Sequence, residues 1–252
     1  SKKPDLEVSP LGWGNFLGIG FCIGMAALVR PTEVIFALVP LLWNVTDWQA
    51  KWRLLAQNLP KIAAAALLVG SIGFLQLAYW KFACNSWLVY SYQDQGFNFA
   101  HPHVLDVLFS YRKGWFVYTP LMLFAVAGFF FLAKNQRRLL APVLAFFLVT
   151  LWIVSAWDIW WYAGAFSQRA MVQSYPLLAF PLAALVGWVF ERGTTFPKVW
   201  NFRKGGYLPK AIFSILFAAF AALNLFQTWQ AHDGGMFETE AMNRAYFWRI
   251  FG

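Results

Sequence analysis

The residues in this sequence that could do chemistry are cations placed beside long apolar runs. Arg30 falls between two such runs, Arg112 and Lys113 come just before one that opens at Trp115, and Arg169 comes just before one that opens at Tyr175. A guanidinium is a planar fork of donors that matches a phosphate with two parallel hydrogen bonds, and a charge at the edge of lipid is costly enough to need a partner or a task. Taken singly, each cation is explained as well by snorkelling to headgroups or by pairing with Asp94, Asp106 or Asp158. Three separate loops that bring cations to one level favour a shared anionic ligand, and a lipid phosphate is the candidate.

A second constellation runs from Trp157 to Arg169 and holds Asp158, Trp160, Trp161, Tyr162 and Gln168. Flat aromatic faces beside polar groups can stack on a sugar ring, although Trp and Tyr also populate the interfacial belt of any membrane protein. The belt accounts for most of the 15 tryptophans but not for Asp158 and Arg169 bracketing this cluster. His101 and His103 lack a carboxylate at a set spacing, so no metal site is expected from them. Cys22 and Cys84 show neither a disulfide framework nor metal-ligand spacing. Neither a glycine-rich phosphate loop nor a Gly-x-Ser-x-Gly elbow is present.

The elements that must position these residues are membrane helices. The chain is 60% hydrophobic and only 12% charged, about half the charged share of a soluble domain. The runs Ile62 to Phe82, Trp115 to Ala133, Leu139 to Trp157 and Ala211 to Trp229 are close to the roughly 20 residues that cross hydrocarbon as a helix. Tyr175 to Phe190 is a fifth, interrupted by Pro176 and Pro181. Residues 11–43 exceed one crossing and break at Arg30-Pro31, which predicts a helical hairpin. The expected fold is all-α, a single polytopic bundle over residues 1–252 with about six to seven passes.

Basic residues orient that bundle, because Lys and Arg are retained in short cytoplasmic loops. Lys2 and Lys3, the Lys51 to Lys61 loop, Lys134 to Arg138 and the loop over residues 191–210 together hold thirteen of the 20 basic residues and belong on the cytoplasmic side. Residues 84–114, residues 158–172 and the tail after Gln230 then lie outside. The formal charge of +9 would suggest nucleic acid in a soluble protein, but the positive-inside bias accounts for most of it, so no nucleic-acid partner is expected. Small residues at Gly14/Gly18 and Gly20/Gly24 suit close internal helix packing.

Four segments, in order, carry a resemblance: Gly24 through Arg30-Pro31-Thr32, Phe109 through Arg112-Lys113-Gly114 to Pro120, Trp160-Trp161-Tyr162 through Gln168-Arg169, and Tyr175-Pro176. Together they resemble the later half of bacterial GT-C glycosyltransferases, the multi-span enzymes related to protein O-mannosyltransferases and aminoarabinose transferases. The resemblance implies an enzyme of the bacterial inner membrane that takes a polyprenyl-phosphate sugar as donor and transfers it on the non-cytoplasmic face. Arg30, Arg112, Lys113 and Arg169 would form the phosphate side of its site, with Asp158, Trp160, Trp161, Tyr162 and Gln168 shaping the substrate cleft. No cofactor is fixed, and a divalent cation stays open.

In that family the catalytic base belongs to an acidic motif after the first span, and this chain has none in that place. It opens on Ser1 without a signal-peptide pattern and reaches its first apolar run only at Leu11, so a longer protein with the base upstream is expected. The family's pattern also has a glycine-rich stretch before the Gln-Arg pair, where this chain has Ala163, Gly164, Ala165 and Ser167. Two other readings stand beside the enzyme. One is a non-catalytic membrane subunit that keeps the same scaffold and binds other membrane subunits. The other, a lipid transporter, would need paired polar or charged residues in the middle of spans, and the clear spans read as nearly free of them.

Overall fold

A computed structural model describes residues 12–45, 47–90, 92, 94–190, 207–233, 237–238 and 241–251. Regular structure among them is helical, and the strand-like element is one isolated antiparallel bridge between Phe97 and Trp157. The chain divides into two compact units, Ser1–Leu41 with Val45–Gln93, and Leu42–Asn44 with Asp94–Gly252.

In the first unit, α1 (Trp13–Val29) ends where Arg30 turns to extended backbone at φ −151° and ψ 114°. Pro31 dictates this break: its ring disfavours helical backbone in the residue before it, while its own fixed φ suits the first position of a new helix. A 3-10 helix (Pro31–Ala37) and the short α2 (Leu38–Leu42) follow. The expected break at Arg30 is therefore present, and the run after it is a 3-10 turn joined to α2. Helix α3 (Trp48–Gln57) is capped by Asp47, whose carboxylate accepts from the Gln49 and Ala50 amides at 3.0 and 3.1 Å. Lys51 donates to the Pro40 carbonyl at 3.1 Å, and burial pushes its amine below the ordinary lysine value.

The long helix of this unit is α4 (Leu59–Cys84), which closes on Asn85 in left-handed backbone. It packs on α1 where glycine permits. A Cβ on Gly20 would stand 2.8 Å from the Ala65 carbonyl, and one on Gly24 would stand 2.7 Å from Ile72, whereas Gly14 and Gly18 face open space. Of the two small-residue pairs, only the second makes the helix contact.

The second unit carries α5 (Val104–Phe109), α6 (Trp115–Tyr118), α7 (Met122–Asn135), α8 (Arg137–Ala156), α9 (Tyr175–Phe190), α10 (Tyr207–His232) and α11 (Arg244–Phe251). The run expected from Trp115 to Ala133 is not one helix. Pro120 has no N–H to give, Thr119 leaves the helical region at φ −134° and ψ 63°, and α7 starts afresh at Met122. A 3-10 turn (Arg169–Ser174) leads directly into α9, so the fifth run is longer than its apolar letters suggest. Helices α7 and α9 approach so closely at Gly128 that any Cβ there would collide with the Pro181 backbone. The core of the unit mixes aromatic and aliphatic side chains, with Trp115, Phe146, Met171 and Leu178 fully buried.

Four helices among the described residues are long and apolar enough to cross a bilayer: Leu59–Cys84, Arg137–Ala156, Arg169–Phe190 and Leu208–His232. Three shorter apolar segments, Trp13–Val29, Pro31–Leu42 and Met122–Asn135, accompany them. Their outer surfaces fit lipid. Leu67 in α4 is 71% exposed and Leu225 in α10 is 70% exposed, part of an apolar surface that would drive association in water. The chain is an all-α membrane protein. Lys2, Lys3, Arg192, Lys198, Arg203 and Lys204, used in the charge argument, lie outside the described residues.

Candidate functional site

The site grows from two loops of the second unit. In the first, the Gly114 amide donates to the Ser110 carbonyl at 2.6 Å and the Arg112 amide donates to the Ser110 hydroxyl oxygen at 3.1 Å. The turn is so tight that a Cβ on residue 114 would meet the Ser110 backbone, which only glycine avoids. It delivers Arg112 and Lys113 to the start of α6. Trp115, immediately behind them, is locked in the core, its indole N–H donating to the Tyr175 hydroxyl at 3.1 Å. The Tyr118 hydroxyl closes the turn from the far side by donating to the Tyr111 carbonyl at 2.6 Å.

The second loop leaves α8 at Trp157 and reaches the 3-10 turn at Arg169. Gln168 is buried and donates through Nε2 to the Trp160 carbonyl at 2.9 Å, which folds the loop back on itself. Tyr162, Ala163 and Ser167 hold φ of 52°, 52° and 50°, left-handed backbone that glycine adopts freely and other residues adopt at a cost of about 1–3 kcal/mol. Two of these three positions, Ala163 and Ser167, fall in the stretch where the resemblance expects glycine. The chain carries the backbone shape there without the residue that eases it.

These loops meet. The Arg112 guanidinium lies 3.7 Å from the centre of the Trp161 ring, a cation–π distance. Arg112, the buried Lys113, Tyr118, Phe166 and Ser167 line one cavity, closed by Phe237 and Met242 from the tail. It measures about 10 Å³, close to the least space that holds a single water. The Ser167 hydroxyl, in the wall of this cavity, and the Gln168 Oε1 beside it in sequence are both buried without a hydrogen-bond partner among the described residues.

Other expected site residues fall elsewhere. Asp158 is exposed and exchanges two hydrogen bonds with Gly96: its carboxylate accepts from the Gly96 amide at 2.6 Å, and its own amide donates to the Gly96 carbonyl at 3.0 Å. It makes no ion pair with Arg169, which is exposed at the head of the 3-10 turn. Asp106 pairs with His103 at 3.3 Å, and the His103 ring stacks near Trp160 at 6.1 Å. Arg30 belongs to the first unit, at the break after α1. Among the described residues no group of three His, Cys, Asp or Glu side chains is placed to hold a metal.

Sequence reasoning missed an amide stripe. Asn224, Gln227 and Gln230 recur every three residues along α10, and Gln227 and Gln230 are buried. Asn224 donates to the Tyr118 carbonyl at 2.9 Å, and Gln230 donates to the Ile250 carbonyl at 3.4 Å. Their spacing of three in an otherwise apolar run was the available signal. No protein-family model matches the chain, and neither a curated protein nor a solved structure matches it.

Proposed function

We propose that this chain supplies the phosphate side of a membrane glycosyltransferase site, in a GT-C-like bundle of about six to seven passes in a bacterial cytoplasmic membrane. The donor is a polyprenyl-phosphate sugar. Transfer breaks the bond between the sugar carbon and the phosphate oxygen and forms one from that carbon to an acceptor hydroxyl oxygen. The acceptor proton goes to a carboxylate base, and the electron pair of the broken bond stays on the phosphate, where cations stabilise it. The observation that carries this reading is Arg112 lying over Trp161 with Lys113 lining the same cavity. Cationic groups suited to a phosphate beside aromatic rings suited to a sugar support the reading. Arg169, one residue after the buried Gln168, is exposed and joins the same role.

The cavity size favours a second reading. About 10 Å³ does not admit a phosphate, and a non-catalytic membrane subunit that keeps such a scaffold alongside other subunits would have no need of the space.

Binding of polyprenyl phosphate to purified Arg112→Ala and Arg169→Ala variants, each shown to be folded, separates the two. Loss of a charged hydrogen bond weakens binding by about tenfold to a hundredfold. Arg169→Lys restores little, because a point charge does not reproduce the planar fork. Undiminished binding by both alanine variants would leave the scaffold reading in place.

A further inference from the structure

A second cavity of the same unit, about 370 Å³, lies between α10, α11 and the segment around α6. That is a small-ligand volume. Its walls include Pro120, Phe220, Leu223, Phe247 and Trp248, and no charged side chain among the described residues lines it. One amide does. Gln227 is fully buried, and neither its amide nitrogen nor its amide oxygen has a hydrogen-bond partner among the described residues. An amide left in this state loses the hydrogen bonds it would make in water, and native structures seldom tolerate that without a ligand or water to restore them.

The depth of Gln227 narrows what that ligand is. Helix α10 has 26 residues, about 39 Å of helix against a hydrocarbon core of about 30 Å. Gln227 stands five residues before the end at His232, about 8 Å along the axis. Centred and upright in a bilayer, α10 would put Gln227 just inside the hydrocarbon boundary, at the level where the ester carbonyls of bilayer lipids begin. An unsubstituted hydrocarbon chain would fill the apolar walls and leave the amide unpaired. An acyl chain that lies along the apolar walls with its ester carbonyl beside the amide answers both.

We propose that this cavity binds one acyl chain of a bilayer glycerolipid, its ester carbonyl accepting a hydrogen bond from Gln227 Nε2. The Gln227 Oε1 then takes a water drawn in at the headgroup level. This site needs no sugar-transfer activity and stands whether or not Arg112 and Lys113 bind a phosphate.

Phosphatidylcholine with a photoreactive diazirine on one chain tests it, in an ester-linked and an ether-linked form of equal length, each reconstituted with the full chain. Cross-links should map to peptides holding Phe220, Leu223 and Trp248, with the ester form labelling about tenfold more, the worth of one hydrogen bond lost from a buried donor. Gln227→Leu should abolish that preference while labelling persists, and Leu223→Trp should remove labelling by both lipids. Equal labelling of the unaltered chain by ester and ether lipids would overturn the role of Gln227, and that comparison stands even if a variant does not fold. Labelling unaffected by Leu223→Trp in a folded protein would overturn the cavity as the site.

Discussion

Arg112 and Trp161 come from loops on either side of α7 and α8, yet the guanidinium sits 3.7 Å from the ring centre. The contact ties the two loops together. A double-mutant cycle with Arg112→Ala and Trp161→Ala, read as unfolding free energy in detergent, should give a coupling of about 0.5–2 kcal/mol. Strictly additive losses would show that the pair contributes no contact energy.

Gly128 should tolerate no side chain. A Cβ there meets the Pro181 carbonyl group, and both partners are backbone, so neither can turn aside. Gly128→Ala should destabilise the protein by about 1–3 kcal/mol, visible as a lower melting temperature in detergent. Gly70→Ala, where a Cβ meets nothing, should be neutral or stabilising by up to about 1 kcal/mol through helix propensity. Matching shifts from the two variants would contradict the close α7–α9 approach.

Asp158 should act as a staple for the loop before α5. Its carboxylate accepts from the Gly96 amide, and next to it the Asn98 and His103 amides donate to the Ala156 and Ser155 carbonyls at 2.7 and 2.8 Å. Asp158→Ala removes a charged hydrogen bond worth about 1.5–3 kcal/mol. Amide exchange at Gly96 and Asn98 should then quicken by about tenfold to a hundredfold. A protection pattern that does not change would show that the loop is held without the Asp158 carboxylate, by its backbone hydrogen bonds and aromatic contacts.

Single cysteines at Gln136 and Gly164 should react with an impermeant thiol reagent from opposite membrane faces. Both positions are exposed, and Gly164 has open space around its Cα. Ser167, although its loop is the natural choice, is buried in left-handed backbone and would report poorly. The exposed Cys22 and Cys84 must first be replaced. Reaction of both positions from one face would refute the charge-based orientation.

Local chemistry was legible in the sequence wherever a single residue decides the backbone. Arg30-Pro31 announces a helix break, and the break is present. Pro120 carries the same kind of signal, but the apolar residues around it outweigh it and predict a continuous run. Partner choice was less legible. Gly14/Gly18 and Gly20/Gly24 have the same spacing, and only the neighbour, with Ala65 and Ile72 in α4, selects the second pair. Likewise, nothing in local periodicity joins Arg112 to Trp161 or brings Phe237 and Met242 over Lys113, because such contacts depend on how separate helices pack.

The bond from Asn224 to the Tyr118 carbonyl reaches across 106 residues, and it bears on how the protein is assembled. The interruption at Pro120 leaves that carbonyl without a helical donor, a state hydrocarbon does not tolerate unless a neighbour supplies one. The neighbour is α10, which enters the membrane only after α7, α8 and α9 have been synthesised. Until then the nascent bundle holds a polar defect at Tyr118, and α10 for its part carries three amides that lipid disfavours. A ribosome-bound chain stopped short of Asn224 would therefore expose to the quality-control machinery a carbonyl that the finished chain pairs.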